Sequence, residues 1–284
     1  MVIDAHHHLW KYNDRDYVWM SGAQAVLRCD FLIPELQQVM RESGVEGTVA
    51  VQARQMVEET EFLLDLAARH PFILGVVGWV PLIDPNVDAC LERYAGNPRL
   101  KAVRHVLHDE ADPDYMLRDD FNRGIGLLKK HGVVYDILIF EGHLPQTLTL
   151  VDRHPGQVFV IDHVAKPRIR GKVISPWKEN MQQLAKRENV YCKVSGMANE
   201  ADWSHWTAND LRPYFDVVLA AFGPKRLMFG SDWPVVRVAG GYKKWMTAFL
   251  SFIGELSGDE QRSICRETAL AAYGLGRANL GFRS

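Results

Sequence analysis

The stretch Val2-Ile3-Asp4-Ala5-His6-His7-His8-Leu9-Trp10 reads as a short strand that ends in histidines. Successive side chains of a strand point to opposite faces, which sets Asp4, His6 and His8 on one face and Ile3, Ala5 and His7 on the other. Two imidazoles two residues apart at a strand's C-terminal end can converge on one ion or one substrate oxygen. An expression tag or an idle surface run would not explain why the histidines follow an apolar strand opening. The rest of the chain has to decide.

Working outward, Thr48–Ala53 is a β-branched apolar run that fits a buried parallel strand, with Gln52 and Arg54 sharing a face at its end. Further strand-like runs fall at Ile73–Leu82, Leu100–Leu107, Val133–Phe140, Val158–Asp162, Val190–Ser195 and Arg226–Gly230. Helical periodicity predicts helices between them, over Asp30–Gly44, Glu58–His70, Asn86–Ala95, Leu117–His131, Leu144–His154, Trp177–Arg187 and Asp210–Phe222. Tyr242–Glu255 and Asp259–Leu275 close the chain as helices. Lys11–Cys29 is polar, aromatic and without a clear period, as functional loops often are. Eight strand-like runs alternating with helices argue for a single-domain (β/α)8 TIM barrel over residues 1–284, with a doubly wound sheet as runner-up. No Gly-x-Gly-x-x-Gly follows the first strand, which removes the best reason to prefer a dinucleotide-binding fold.

Composition narrows the class. Hydrophobic residues make up 47% of the chain, enough for a large core. Lysine and arginine number 33 against 35 acids, so the net charge of −2 gives no footprint for nucleic acid or an anionic membrane. The longest apolar run, around Ile73 to Ile83, is too short to span a bilayer, and no signal-peptide pattern opens the chain. Cys29, Cys90, Cys192 and Cys265 lie far apart and read as reduced packing residues in a cytoplasmic protein.

A barrel carries its active site at the C-terminal ends of its strands. The residues expected there include His6 and His8 from the first strand, His163 from the sixth and Asp232 from the eighth. One histidine at a strand end is commonly structural; four such groups at one end of one barrel make coincidence a poor explanation.

These residues lie in segments with a family likeness. Asp4-Ala5-His6-His7-His8-Leu9-Trp10, Ile161-Asp162-His163-Val164-Ala165-Lys166-Pro167 and Phe229-Gly230-Ser231-Asp232-Trp233-Pro234 resemble the amidohydrolase superfamily, of the amidohydrolase-2 type. The nearer likeness is to its sugar-lactonase branch, the fuconolactonase- and rhamnonolactonase-like hydrolases related to pyrone-dicarboxylate lactonase. Lys101-Ala102-Val103-Arg104-His105, Tyr191-Cys192-Lys193-Val194-Ser195-Gly196 and the final helix with Thr268 to Leu275 share it, so the resemblance covers essentially the whole chain. It implies a metallohydrolase-like site of His6, His8, His163 and Asp232, which are both the catalytic and the candidate metal-ligating residues.

The chain departs from binuclear members of that superfamily. It shows no clear bridging Lys or Glu at the end of strand four and no His at the end of strand five, and His143 falls at the start of a helix. At most one Zn²⁺ is therefore expected, and the resemblance implies that lactone opening need not require it. Imidazole and carboxylate suit Zn²⁺, but the same imidazoles can donate hydrogen bonds to a lactone carbonyl as it becomes an oxyanion.

Asp232 is the expected general base for the attacking water, the bland alternative being a helix N-cap shared with Ser231. Asp4, on the face assigned to His6, is expected to orient that ring or to be purely structural. Trp19, Gln52, Arg54, Trp79, Arg104 and His105 fall near strand ends or in the first loop, and are the expected substrate contacts. A polyhydroxylated ring needs flat apolar walls and fixed donors, which Trp, Arg and Gln supply. His70, His131 and His154, at predicted helix ends, take no role. The expected activity is hydrolysis of a small sugar lactone to the aldonate. The rivals are a metal-dependent decarboxylase of an aromatic or pyrone acid, and a catalytically silent barrel that binds a sugar acid.

Overall fold

The structure is a computed structural model that describes residues 2–276. Eight parallel strands form one sheet in sequence order: β1 (Val2–His7), β2 (Val45–Val51), β3 (Ile73–Gly78), β4 (Leu100–Val106), β5 (Val134–Leu138), β6 (Phe159–Ile161), β7 (Val190–Val194) and β8 (Leu227–Phe229). The sheet curls so that the chain beyond β8 meets β1. Asp232 N donates to His6 O at 2.8 Å and His8 N to Trp233 O at 2.7 Å, which brings the two edges together. The outer ring is α1 (Ile33–Ser43), α2 (Val57–Arg69), α3 (Val87–Ala95), α4 (Asp119–Leu128), α5 (Leu144–Arg153), α6 (Trp177–Leu184), α7 (Ala208–Phe222) and α8 (Gly241–Ile253). This is the (β/α)8 barrel that the alternating pattern predicts, and not the doubly wound sheet.

Period-two alternation sorts each strand into two cores. Ile3, Ala5, Val49, Val51, Val77, Ala102, Val160 and Met228 pack with one another and with Ala269, Leu270 and Tyr273. The alternate positions, Ala50, Val76, Val103, Phe159, Ile161, Leu227 and Phe229, pack with the surrounding helices. The expected last helix is one helical path in three pieces: α9 (Gly258–Arg262), a π turn (Ser263–Glu267) and α10 (Thr268–Ala272). α10 and the residues just after it place Leu270, Tyr273 and Leu275 against the apolar floor of the barrel.

Two local features depart from the sequence expectation. Strand β3 stops at Gly78, not Leu82, because the Thr60 hydroxyl takes over the next peptide: it donates to Trp79 O at 2.8 Å and accepts from Trp79 N at 2.7 Å. Strand β1 carries a bulge. Asp4 pairs with Thr48 and His7 with Ala50, so three steps on one strand match two on the other. The extra residue breaks the alternation. Asp4 therefore leaves the face of His6: its carboxylate accepts from Ser231 N and from Tyr242 Oη on α8 and touches only the backbone of His6. The expectation that Asp4 orients the His6 ring is corrected accordingly.

Candidate active site

The bulge turns His6 toward the barrel axis, and His8 follows just past the end of β1. His8 Nδ1 lies 2.8 Å from the Val51 carbonyl oxygen, which can only accept, so Nδ1 carries a proton and the ring turns its Nε2 inward. That Nε2 is 3.2 Å from His6 Nε2 and 3.2 Å from Asp232 Oδ1. His163 Nε2 completes the group at 3.9 Å from the same carboxylate oxygen. The other oxygen, Asp232 Oδ2, accepts from Asn199 Nδ2 at 2.6 Å. The Asp232 carboxylate thus bonds into the site and does not cap a helix. All of these imidazoles and the carboxylate are buried.

The chain bends hard to bring them together. Asp232 has φ of 56°, and His163, Val164, Ala165 and Lys166 have φ of 53°, 47°, 60° and 45°. Left-handed backbone costs an L-residue roughly 1–2 kcal/mol, and Val164 is β-branched as well. Packing around the turn holds it: Gly196 lies so near His163 that a Cβ there would meet the ring at 2.6 Å, and a Cβ on Gly230 would meet His6 Cβ at 2.8 Å. His163 Nδ1 is anchored on Ser195 Oγ at 2.9 Å, at the end of β7.

Beneath the histidines lies a charged layer in which only Arg104 was given a role from the sequence. Lys193 Nζ, fully buried, is 2.5 Å from Asp136 Oδ2, 3.0 Å from Asp162 Oδ1 and 3.2 Å from His6 Nδ1. Arg104 Nη1 donates to Asp162 Oδ2 at 2.9 Å, and its Nη2 to Gln52 O at 2.5 Å. Tyr273 Oη donates to Asp136 Oδ2 at 2.8 Å, which ties the barrel floor to this layer. The legible signal was opposite charges at inward positions of two apolar strands that flank β6, Asp136 on β5 and Lys193 on β7. Asn199 could have been sought in the loop after β7, where barrel strands deliver site residues.

The electrostatics assign states. Burial alone would raise the Asp232 carboxyl, but His163, His8 and His6 outweigh it and hold the group well below the usual carboxylate range. Burial pushes His163 down to about 4, against the pull of Asp232 and Asp162. Burial also takes His6 well below the ordinary imidazole value. At neutral pH the site therefore presents an ionised carboxylate beside the neutral imidazoles of His6 and His163. Asp162, despite burial, is held low by Lys193, His6 and Arg104.

A cavity of about 410 Å³ opens above this group. His8, His163 and Asp232 line it, and so do Trp19 and Arg104, two of the expected substrate contacts. The other four, Gln52, Arg54, Trp79 and His105, do not line it and are held by partners within the protein. Gln52 is buried and donates to the Arg104 carbonyl. Arg54 is consumed by ion pairs of 2.7 Å each to Asp16 and Glu59. Trp79 Nε1 donates to His105 Nδ1, and His105 Nε2 is engaged by Glu110 at 2.6 Å. A second cavity, about 440 Å³, opens around the strand starts near Lys101 and Val134, at the end of a barrel that serves stability.

His6, His8 and Asp232 bring one ligand atom each within 4.8 Å of one another, a donor set that fits a metal ion. His6, Asp162 and His163 form a second such group, but there Asp162 is already met by Lys193 and Arg104. An ionised carboxylate beside inward imidazoles at the strand ends of a (β/α)8 barrel is a donor set able to take a proton from water or to hold a metal ion. The chain belongs to the amidohydrolase family, whose model matches residues 3–275. It is 37% identical to the L-fucono-1,5-lactonase of Burkholderia multivorans, over 96% of each chain. It is 26% identical to the L-rhamnono-gamma-lactonase of Scheffersomyces stipitis, over 72% of this chain and 67% of that one. A crystal structure of an amidohydrolase from Burkholderia multivorans with bound zinc superposes with a TM-score of 0.93 at 36% identity, covering 97% of this chain and 100% of the other. Among the described residues, no helix is long and apolar enough to cross a membrane.

Proposed function

We propose that the protein hydrolyses the ring ester of a small sugar lactone, of the L-fucono- or L-rhamnono-lactone kind, to the aldonic acid. The observation that carries this is Asp232, an ionised carboxylate buried among imidazoles at the foot of a cavity large enough for one sugar ring. Ester hydrolysis needs a water deprotonated next to a carbonyl carbon. Asp232 Oδ1 takes that proton, while Asn199 holds Oδ2 and fixes the plane of the carboxylate. The oxyanion that develops on the lactone carbonyl is met by donors at His163 and Arg104, which line the same cavity. The proton held on Asp232 then passes to the ring oxygen as the C–O bond breaks, giving a hydroxyl and a carboxylic acid, which ionises to the aldonate and releases a proton to solvent. Trp19 supplies a flat wall for the C–H face of the ring.

His6, His8 and Asp232, with His163 alongside, would hold one Zn²⁺. When bound, such an ion supplies Lewis-acid polarisation of the carbonyl and a more acidic water. A lactone is an activated ester, so the base and donors of this chain suffice without it. A cytoplasmic setting fits the four unpaired cysteines. The identity to an L-fucono-1,5-lactonase over nearly the full length favours ring opening over decarboxylation.

A pH-indicator screen of aldono-lactones tests the reading, because ring opening releases a proton and decarboxylation does not. Protein stripped by chelator and checked by elemental analysis is expected to keep at least about a tenth of its rate, tenfold being ~1.4 kcal/mol in the barrier. Failure to acidify any aldono-lactone would overturn the lactonase reading. Release of CO₂ from an aromatic acid, abolished by chelation, would put the decarboxylase in its place.

A further inference from the structure

One wall of the cavity has no part in the chemistry above. Lys166 and His108 both line it, with Phe140 and Glu200. The left-handed turn explains how Lys166 comes to be there. Lys166 N donates to His163 O at 2.8 Å, closing a three-residue turn, and in such a turn residues three apart lie on the same side. The strain that aims His163 at Asp232 also brings Lys166 to the cavity.

The wall is organised. Lys166 Nζ lies 3.3 Å from His108 Nε2 and 5.2 Å from the centre of the Phe140 ring. The His108 ring packs edge-on against Phe140 with centroids 4.6 Å apart. An ammonium can only donate, so His108 Nε2 accepts and its proton sits on Nδ1. That Nδ1 is buried and, among the described residues, has no hydrogen-bond partner. The ammonium of Lys166 has further N–H groups beyond the one His108 takes. Glu200 lines the same cavity, and burial raises its carboxyl while Lys166 pulls it back.

A hydroxyl both donates and accepts, so vicinal hydroxyls match a wall that offers fixed donors next to a carboxylate. A bare ring ester would leave those groups desolvated and unpaired, and a site built this way rejects the analogue that lacks the hydroxyl. We propose that Lys166 and His108, with Glu200 beside them, form a hydroxyl-reading subsite that selects polyhydroxylated lactones over unsubstituted ones. This rests on the lactonase reading and adds to it the residues that set specificity.

The test is the ratio of kcat/KM for L-fucono-1,5-lactone to that for δ-valerolactone, in wild type, Lys166→Met and His108→Phe. The ratio is expected to favour the hydroxylated lactone in wild type and to fall by ~10-fold or more in each variant, mainly through KM. Lys166→Arg, which keeps the charge, is expected to recover part of it. His108→Phe keeps the ring packed on Phe140, so it carries the test if Lys166→Met does not fold. A ratio that stays within about twofold of wild type in the folded variants would overturn the subsite, and so would a wild type that does not discriminate. A wild type inert toward every aldono-lactone would overturn the lactonase reading and the subsite with it.

Discussion

The two ends of the barrel interior are built on opposite terms. At the floor, Ile3, Leu74, Val134 and Met228 close on Leu270, Tyr273 and Leu275 in an apolar plug. At the mouth, imidazoles and a carboxylate crowd together, two of them, His163 and Asp232, on backbone held in left-handed conformations. Between them lies the layer of Asp136, Asp162, Lys193 and Arg104, whose charges answer one another. The floor contributes stability, and the mouth stores strain that the rest of the fold has to offset. The charged layer links the two, because Lys193 touches His6 above while its partner Asp136 is held by Tyr273 below.

The largest expected effect comes from breaking that link. Lys193→Met removes an ammonium on which two buried carboxylates depend, and loss of one partner from such a network costs about 3–5 kcal/mol. Denaturant unfolding is expected to show a loss of that size. A variant as stable as wild type would mean that the layer does not support the mouth.

Next comes the mouth itself. Asp232→Asn keeps the shape and removes the proton acceptor, so kcat on the best lactone should fall by ~10²-fold or more, about 2.7 kcal/mol in the barrier. Its stability should change less than that of Lys193→Met. A variant that keeps more than about half of the wild-type rate would remove Asp232 from the role of base.

The smallest effect sharpens the contrast between neighbouring histidines. His7 is as buried as His6, yet neither of its ring nitrogens has a hydrogen-bond partner among the described residues. Burial pushes its value down to about 3. The unfolded chain takes up a proton near pH 6.5 that folded His7 refuses until about 3, so this residue destabilises the protein as pH falls through that window. Asp4 and Asp136, each raised to about 6 by burial, act in the opposite sense: they add stability as pH falls below that value. The whole curve is therefore a difference, and a single substitution isolates one part of it. His7→Leu is expected to leave Tm equal or slightly higher near neutrality. Its advantage over wild type should widen by a few degrees toward about pH 5. An advantage that does not change with pH would show that His7 finds a partner.

The sequence by itself determined the alternation of eight strands with helices, since apolar periodicity is local and each run can be read alone. It also placed His6, His8, His163 and Asp232 at strand ends, because a strand's C-terminal residue is legible from where the apolar run stops. Only the tertiary structure decided which of those neighbours meet. The bulge in β1 sends Asp4 to α8 and His6 to the axis, and one inserted residue reverses a facing that alternation alone assigns the other way. Arg54, Gln52, Trp79 and His105 sit at strand ends as expected but are held by partners from Asp16 to Glu110 that no local pattern names. Lys193, Asn199, His108 and Lys166 reach the site through packing between distant segments and through backbone strain. Periodicity tells which face a side chain takes; the depth of its layer in the barrel, and the group waiting there, depend on contacts between residues far apart in the chain.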